Sequence, residues 1–154
     1  MHTWFECKIQ YEKTMENGMN KKVTEPYLVD ALSFTEAEAR IIEEMTPYIS
    51  GEFTVSDIKR ARYSELFFAE DTEADRWFKC KLTFITLDEK SGSEKKTSTN
   101  VLVQATDLRD AVKKLDEGMK GSMADYIIAS VAETAIMDVY PYTEGPHDKP
   151  EFPE

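Results

Sequence analysis

Two segments of the chain alternate between apolar and polar residues with a period of two. On one side of the first segment, Trp4–Tyr11, stand the apolar residues Phe5, Cys7, Ile9 and Tyr11. The corresponding side of the second segment, Trp77–Phe84, holds Phe78, Cys80, Leu82 and Phe84. Because this period is typical of strands with one buried face, the pattern predicts two β-strands with these side chains turned toward a core.

Each of these strands is followed by the signals of a hairpin. Turn residues that tolerate a positive φ stand at Asn17-Gly18 and at Ser91-Gly92. Second strands are predicted near Val23–Leu32 and Thr97–Thr106. Pro26 cannot donate a hydrogen bond to a ladder, so we expect an edge or a bulge at that position.

Two helices and two long strands follow the hairpins. Capping residues open the helices at Ser33 and Glu36 and again at Asp107 and Asp110. A buried stripe is predicted from residues spaced three or four apart, which are Ala37, Ile41, Met45 and Tyr48 in the first helix and Ala111, Leu115 and Met119 in the second. Each half then closes with a strand of about 15 residues, Glu52–Phe68 or Tyr126–Tyr140. Since this exceeds the usual length, we expect a bend or bulge in each.

The two halves match residue by residue. The two Trp, Trp4 and Trp77, and the two Cys, Cys7 and Cys80, are both separated by 73 positions. Trp4-Phe5-Glu6-Cys7-Lys8 corresponds to Trp77-Phe78-Lys79-Cys80-Lys81. We therefore predict a tandem duplication of a β-β-α-β unit, because coincidence of the rarest residue types is seldom due to chance.

The fold class that follows is α+β, with mostly antiparallel strands, one helix per repeat and an approximate two-fold relation between the repeats. The first repeat is assigned to residues 3–68, an acidic linker to 69–75 and the second repeat to 76–142. Residues 143–154 form a Pro-rich acidic tail that we expect to be extended or disordered. The repeats are expected to pack as one domain. One sheet, a sandwich and a barrel all remain open.

The formal charge of −11 is concentrated in short stretches. Residues 69–75 and 143–154 together carry seven of these net negative charges, whereas residues 76–142 are balanced. The total disfavours nucleic-acid binding, although a local basic face can exist within it. The hairpin Arg76–Ala105 has such a bias, with a net charge of +3.

Candidate catalytic chemistry is sparse. Cys7 and Cys80 lie on the apolar side of equivalent strands, which favours two small core residues over a redox pair or metal ligands. His2 and His147 stand near the two ends of the sequence, where a general acid or base is poorly held. We therefore predict no catalytic residues, no metal site and no cofactor.

One constellation suggests binding. Trp4 and Lys8 recur as Trp77 and Lys81, and Lys79 joins them on the polar side of the strand. An aromatic ring beside lysines on a sheet face can stack a base and hold phosphates. The alternative is that each Trp closes the edge of its own core while the lysines are solvated.

The segments Met1–Lys8 and Tyr27-Leu28-Val29-Asp30-Ala31, with the paired Trp-Phe-x-Cys-Lys motifs, resemble a family of short uncharacterised bacterial proteins. That family is a domain of unknown function common in gut anaerobes, and the resemblance spans about 140 residues of the two repeats. It implies a bacterial cytosolic setting and carries no activity, cofactor or site.

These observations favour a non-enzymatic cytosolic binding or interaction protein, with an unknown protein partner or self-association. The alternative is a single-stranded nucleic-acid binder that uses the Trp/Lys sheet face. A third reading is a small-molecule enzyme or carrier with a cleft between the repeats. The start of the sequence lacks the apolar region of a signal peptide, and no run reaches the roughly 18 apolar residues of a membrane span. We therefore expect a cytoplasmic protein without membrane contact.

Overall fold

The strands in the described part of the chain form two four-stranded sheets, and a helix packs on one face of each. The computed structural model describes residues 3–122 and 125–141. In chain order the elements are β1 (Trp4–Thr14), β2 (Asn20–Asp30), α1 (Phe34–Met45), β3 (Phe53–Ala61), β4 (Glu65–Phe67), β5 (Arg76–Leu87), β6 (Glu94–Ala105), α2 (Leu108–Gly118), β7 (Tyr126–Glu133) and β8 (Val139–Tyr140). The predicted α+β class with mostly antiparallel strands and two helices is confirmed.

The first sheet has the strand order β3-β1-β2-β8. Its β1–β2 hairpin turns at Gly18, whose φ of 84° fits the predicted turn. Pro26 lies in β2 where the pairing with β8 begins, and its carbonyl accepts a hydrogen bond from the Met137 amide at 2.8 Å. The proline therefore stands at an edge position of β2, as its missing N–H requires.

The second sheet has the order β4-β6-β5-β7. Its β5–β6 hairpin turns at Gly92, with a φ of 73°. In both sheets the third long strand is bulged against the first. The register shifts between Lys8 and Ile9 opposite β3, and between Lys81 and Leu82 opposite β7. The expected bulges are therefore present.

The predicted closing strands, Glu52–Phe68 and Tyr126–Tyr140, are wrong as single strands. Each segment is interrupted and resumes as a short strand, β4 or β8, that pairs in parallel with β6 or β2 respectively. The outer edges of β2 and β6 offer unpaired backbone groups, and the short strands satisfy part of them. The predicted first repeat thus contains the short strand β4, which joins the second sheet. The predicted second repeat contains β8, which joins the first sheet.

The compact units consequently have different boundaries from the predicted repeats. The first unit runs up to Ala61 and resumes at Ile136, and the second is Arg62–Ala135. Each has its own core between helix and sheet. In the first, Cys7, Ile9 and Ile41 are fully buried, and in the second, Cys80, Leu82 and Leu115 are.

The two helices begin directly after the predicted capping residues, Ser33 and Asp107. Ser33 Oγ accepts a hydrogen bond from the Glu36 amide at 3.1 Å, and Asp107 Oδ1 accepts one from the Asp110 amide at 2.8 Å. The prediction for Tyr48 is wrong, because α1 ends at Met45 and the Tyr48 side chain is 77% exposed. Neither of the helices that the described residues form is long and apolar enough to cross a membrane.

Candidate functional site

The five predicted binding residues are divided between the two sheets. Trp4 and Lys8 lie on β1, whereas Trp77, Lys79 and Lys81 lie on β5. The side chains of Lys79 and Lys81 are exposed and that of Lys8 is half-buried. Trp4 and Lys8 therefore share the first sheet, and the three residues of β5 share the second.

Neither tryptophan presents its ring for stacking in this structure. Trp4 is 5% exposed and Trp77 is 2% exposed. The Trp77 ring meets Phe68 edge to face, with centroids 5.4 Å apart, and the Trp77 carbonyl accepts hydrogen bonds from the amide and the hydroxyl of Thr134. Since a nucleobase needs an exposed ring face, the predicted stacking surface is not available at these two residues.

What β5 does present is a mixed basic and aliphatic surface on the side of the second sheet opposite α2. Register places these seven side chains among others on it, and we call this set the Lys–Ile face: Lys79, Lys81, Thr83, Ile85, Lys96, Ser98 and Ile127. The pleat brings them to one side because alternate residues of a strand share a face and paired residues face the same way.

The aliphatic residues of the Lys–Ile face are unusually accessible. Ile127 is 52% exposed, Ile85 is half-buried, and Leu87 beyond them is 66% exposed. Thr83 pairs with Ile127 on one side and with Ser98 on the other, where the two hydroxyl oxygens lie 3.3 Å apart. Ile85 pairs with Lys96. Ile85 thus lies directly beside Lys96, and Ile127 lies directly beside Thr83.

The first sheet has a different surface at the same register positions. Its residues there are Glu6, Lys8, Gln10, Glu12, Lys22, Thr24 and Thr54. Thr54 stands where the second sheet has Ile127, and Glu12 stands where it has Ile85. The two carboxylates balance the two lysines, whereas the seven residues of the Lys–Ile face include three lysines, and Glu94 stands at the next register position opposite Leu87. The basic and aliphatic character is therefore specific to the second sheet.

A sequence signal for this surface exists, although the sequence-based prediction of the site missed it. Two apolar residues are adjacent at Phe84-Ile85 and again at Ile127-Ile128. Successive side chains of a strand point to opposite faces, so one member of each pair must leave the core side. At the same positions in the first half, Tyr11 is followed by Glu12 and Val55 is preceded by Thr54.

The cysteines belong to the cores. Both are fully buried. Burial, with a further contribution from Glu6 and Glu38, raises the pKa of the Cys7 thiol to about 12, and burial raises that of Cys80 to about 11. Both thiols are therefore protonated at neutral pH and unsuited to act as nucleophiles. His2 and His147 lie outside the described residues.

A cleft of about 460 Å³ in the second unit contains an ion-paired lysine. Lys114 Nζ lies 2.9 Å from Asp71 Oδ1 and 2.9 Å from Asp110 Oδ2. Desolvation lowers the pKa of Lys114, but hydrogen bonds to Asp110 and Asp71 outweigh it, so the pKa is raised. The Ala69 amide donates to Gln104 Oε1 at 3.0 Å nearby. These contacts tie residues 69–71 to the second sheet and α2, which indicates a structural role.

A larger groove of about 600 Å³ lies in the first unit, along the β1–β2 hairpin and the turn before β3. Tyr11 is one of its lining residues, and the Tyr11 hydroxyl donates to Glu25 Oε1 at 3.1 Å. Desolvation, followed by this hydrogen bond and the Glu25 charge, raises the pKa of Tyr11. Within residues 3–122 and 125–141, no three His, Cys, Asp or Glu side chains gather as metal ligands would.

Comparison with known proteins places the chain in a family. The family model described as "Domain of unknown function (DUF4494)" matches residues 3–142. The chain therefore belongs to this family. No curated protein and no solved structure matches it. The family establishes no activity, so function has to be argued from the surfaces of the molecule.

Proposed function

We propose that this member of the DUF4494 family is a non-enzymatic binding protein that recognises another protein through the Lys–Ile face. The observation that carries the proposal is the exposure of Ile127 beside Ile85 among three lysines. Complete burial of a fully exposed aliphatic side chain contributes about 1.5–3 kcal/mol, and a partner would gain roughly half of that at Ile127, which is 52% exposed, with a smaller part at Ile85. The matching face of the first sheet, with Thr54 and Glu12, offers no such gain.

The proposal of a non-enzymatic role rests on the state of the reactive groups. The thiols of Cys7 and Cys80 are buried and protonated. The lysine in the cleft beside α2 is held by two carboxylates and stays charged, so it is a poor nucleophile or base.

A single-stranded nucleic acid is the second candidate partner. The lysines Lys79, Lys81 and Lys96 favour it, because they could contact successive phosphates. The aliphatic residues between them do not stack bases as aromatic rings do, and the two indoles are buried. The Lys–Ile face therefore suits a protein with acidic and apolar side chains better.

Two further parts of the proposal concern origin and setting. The matched Trp-Phe-x-Cys-Lys segments support descent of the two halves from a tandem duplication, after which the sheet faces diverged. The two free, buried cysteines suit a reducing compartment, which supports a bacterial cytoplasmic setting.

Site-specific crosslinking tests the proposed function. A photoreactive benzophenone side chain is introduced at Ile127 in the full-length protein and, as a matched control, at Thr54 in the same register position of the first sheet. We expect a discrete protein adduct in cells of the source organism from position 127 and none from position 54.

The partner so identified is then purified and its binding measured by calorimetry. The double variant Ile85→Glu with Ile127→Thr, which carries the residues of the first sheet, should bind at least about tenfold more weakly, because about 1.4 kcal/mol corresponds to tenfold. Met19→Thr, which removes an exposed apolar side chain elsewhere, should bind as the wild type does. Equal adducts from both positions, no adduct, or undiminished binding by the double variant would contradict the proposal.

A further inference from the structure

The second strand of the second sheet has an outer edge that is only partly paired. β4 covers β6 at Val101–Val103, and one more backbone hydrogen bond joins the Ser64 amide to the Asn100 carbonyl at 2.8 Å. From Glu94 to Thr99, β6 pairs with β5 alone in the part of the chain that the structure describes. Six successive residues thus line an exposed strand edge.

The direction of the backbone groups along this edge follows from alternation. The Asn100 carbonyl points outward, away from β5, because it accepts a hydrogen bond from the Ser64 amide on the outer side of β6. The Lys95 carbonyl points toward β5, because it accepts a hydrogen bond from Thr86 Oγ1 of that strand at 3.3 Å. The N–H and C=O of Lys96 and Ser98 therefore point outward, where an added strand would meet them.

The side chains of the same two residues lie on the Lys–Ile face. Lys96 pairs with Ile85, and Lys81 pairs with Asn100 one step beyond Ser98. A strand placed along β6 would set alternate side chains of its own beside Lys96 and Ser98. Carboxylates at those positions would be attracted by Lys96 and Lys81, which are exposed and outnumber the single carboxylate, Glu94, that β6 carries on this side.

We propose that the outer edge of β6 binds an extended acidic peptide segment of a partner protein as an additional strand. This inference rests on the proposed function and specifies how the partner is recognised. Backbone hydrogen bonds to Lys96 and Ser98 provide the affinity, and the lysines select acidic side chains.

The charges also decide between possible occupants. A second copy of the chain, pairing edge to edge through β6 in a register centred near Lys95 and Lys96, would bring these lysines of one copy against those of the other, and like charges across strands are destabilising. An acidic strand removes that repulsion and neutralises the lysines. The charges of this edge therefore favour an acidic segment over a second copy.

The first sheet differs from this arrangement in one edge position and in charge. Pro26 holds the register position of Asn100, and its carbonyl accepts from Met137 as that of Asn100 accepts from Ser64. Proline has no N–H to offer to an added strand. The matching face of the first sheet also has balanced charges. The two sheets of one chain therefore supply their own control.

The test uses the full-length protein and two synthetic peptides. The first alternates Glu and Val over seven residues, and the second has Lys in place of each Glu. We expect the Glu/Val peptide to bind, to slow hydrogen exchange at the Lys96 and Ser98 amides and to shift their NMR signals. The corresponding amides Lys22 and Thr24 of β2 should not change, and the Lys/Val peptide should not bind.

The decisive variant is Ser98→Pro, which removes an outward N–H without breaking the β5–β6 ladder. Its matched control is Thr24→Pro at the same position of β2. Both substitutions perturb one cross-strand polar contact, Thr83–Ser98 or Gln10–Thr24. We expect at least a tenfold loss of peptide affinity for Ser98→Pro and no change for Thr24→Pro. Lys96→Glu should weaken binding as well, and Lys22→Glu should not.

The outcomes separate this inference from the proposed function. Full binding by Ser98→Pro, together with loss in the Ile85→Glu, Ile127→Thr variant, would overturn strand addition and leave the Lys–Ile face as a binding surface. Absence of amide protection in the wild type would overturn strand addition without reliance on any variant. Binding of the Lys/Val peptide, or tighter binding of an oligothymidylate, would overturn the acidic peptide as the ligand.

Discussion

Arg40 and Lys114 occupy the same position in the two helices, seven residues after the N-cap, and each binds the segment that follows the short strand of its own unit. The Arg40 guanidinium donates to the Asp30 carbonyl and, at 3.3 Å, to the Pro141 carbonyl. Lys114 donates to both carboxylate oxygens of Asp71, at 2.9 and 3.0 Å. α1 therefore anchors the chain just after β8, and α2 anchors it just after β4.

Replacement of Arg40 by Met should destabilise the first unit. The Arg40 side chain is largely buried, and removal of its donors leaves two carbonyls without these bonds. Loss of hydrogen bonds from a charged donor costs about 1.5–3 kcal/mol in the free energy of unfolding. Urea denaturation measures this change.

Arg40→Lys is the informative companion variant. Lysine keeps the charge, but its single ammonium group cannot span two carbonyls as the planar guanidinium does. We expect the free energy of unfolding of Arg40→Lys to lie between those of the wild type and Arg40→Met. If Arg40→Met unfolds at the wild-type urea concentration, the anchoring role is excluded.

Replacement of Lys114 by Met should reduce the acid sensitivity of the protein. A hydrogen bond from Lys114 lowers the pKa of Asp71, and the Thr106 amide followed by Lys114 lowers that of Asp110. Groups with lowered folded pKa values stabilise fully above their unfolded value of about 4, and this stabilisation is lost as pH falls through the folded values.

The measurement is the denaturation midpoint as a function of pH from about 6 to about 2.5, a range that begins above the unfolded carboxyl pKa of about 4 and extends below it. The fall of the midpoint should be less steep in Lys114→Met than in the wild type. Lys113→Met, which changes the exposed neighbouring lysine, should retain the wild-type slope. Parallel curves for Lys114→Met and the wild type would count against the ion pair.

Local structure could be predicted from short sequence patterns because its causes are local. The turn at Gly18 requires a positive φ, the N-cap at Ser33 satisfies an exposed amide, and the alternation around Cys7 marks one buried face. Each of these depends on residues within a few positions of one another. The bulges were predicted from a strand length of about 15 residues, whereas they occur in strands of 9 and 8 residues, so length does not explain them.

The interruption after Ala61 could not be predicted in this way. It depends on pairing of β4 with β6, which lies about 36 residues further along the chain. The burial of Trp77 could not be predicted from the alternating pattern either. Alternation assigns Trp77 to the side opposite Phe78, but it does not say that this side is also covered. The repeated tryptophans are the more conspicuous sequence signal, whereas the Lys–Ile face is marked only by the adjacent apolar pairs Phe84-Ile85 and Ile127-Ile128.

The buried cysteines should be unreactive in the folded protein. Both side chains are fully buried and both thiol pKa values lie at about 11 or above, so little thiolate exists near pH 8. We expect no modification by a thiol reagent within minutes under native conditions and two modified thiols after denaturation. Ser91→Cys at the β5–β6 turn provides an exposed control that should react at once. Fast reaction of Cys7 or Cys80 in the native protein would contradict their placement in the cores.

Gly118 is constrained by the aromatic ring of Phe67. A Cβ on Gly118 would lie 2.8 Å from Cε1 and 2.9 Å from Cδ1 of that ring, so the ring or the helix end would have to move. Overpacking of this kind costs about 1–3 kcal/mol. It should exceed the gain of about 1 kcal/mol from replacing glycine by alanine in a helix. We therefore expect Gly118→Ala to lower the free energy of unfolding.

A double-mutant cycle with Phe67→Leu separates the steric effect from helix propensity. In the Phe67→Leu background the flat ring is gone, so Gly118→Ala should become neutral or stabilising by up to about 1 kcal/mol. Glu117→Ala, at the exposed position beside it, should have little effect in either background. Additive free-energy changes would show that Phe67 does not press on Gly118. A coupling of about 0.5 kcal/mol or more would show that β4 and the end of α2 are packed as tightly as their distances indicate, because only residues in contact couple in this way.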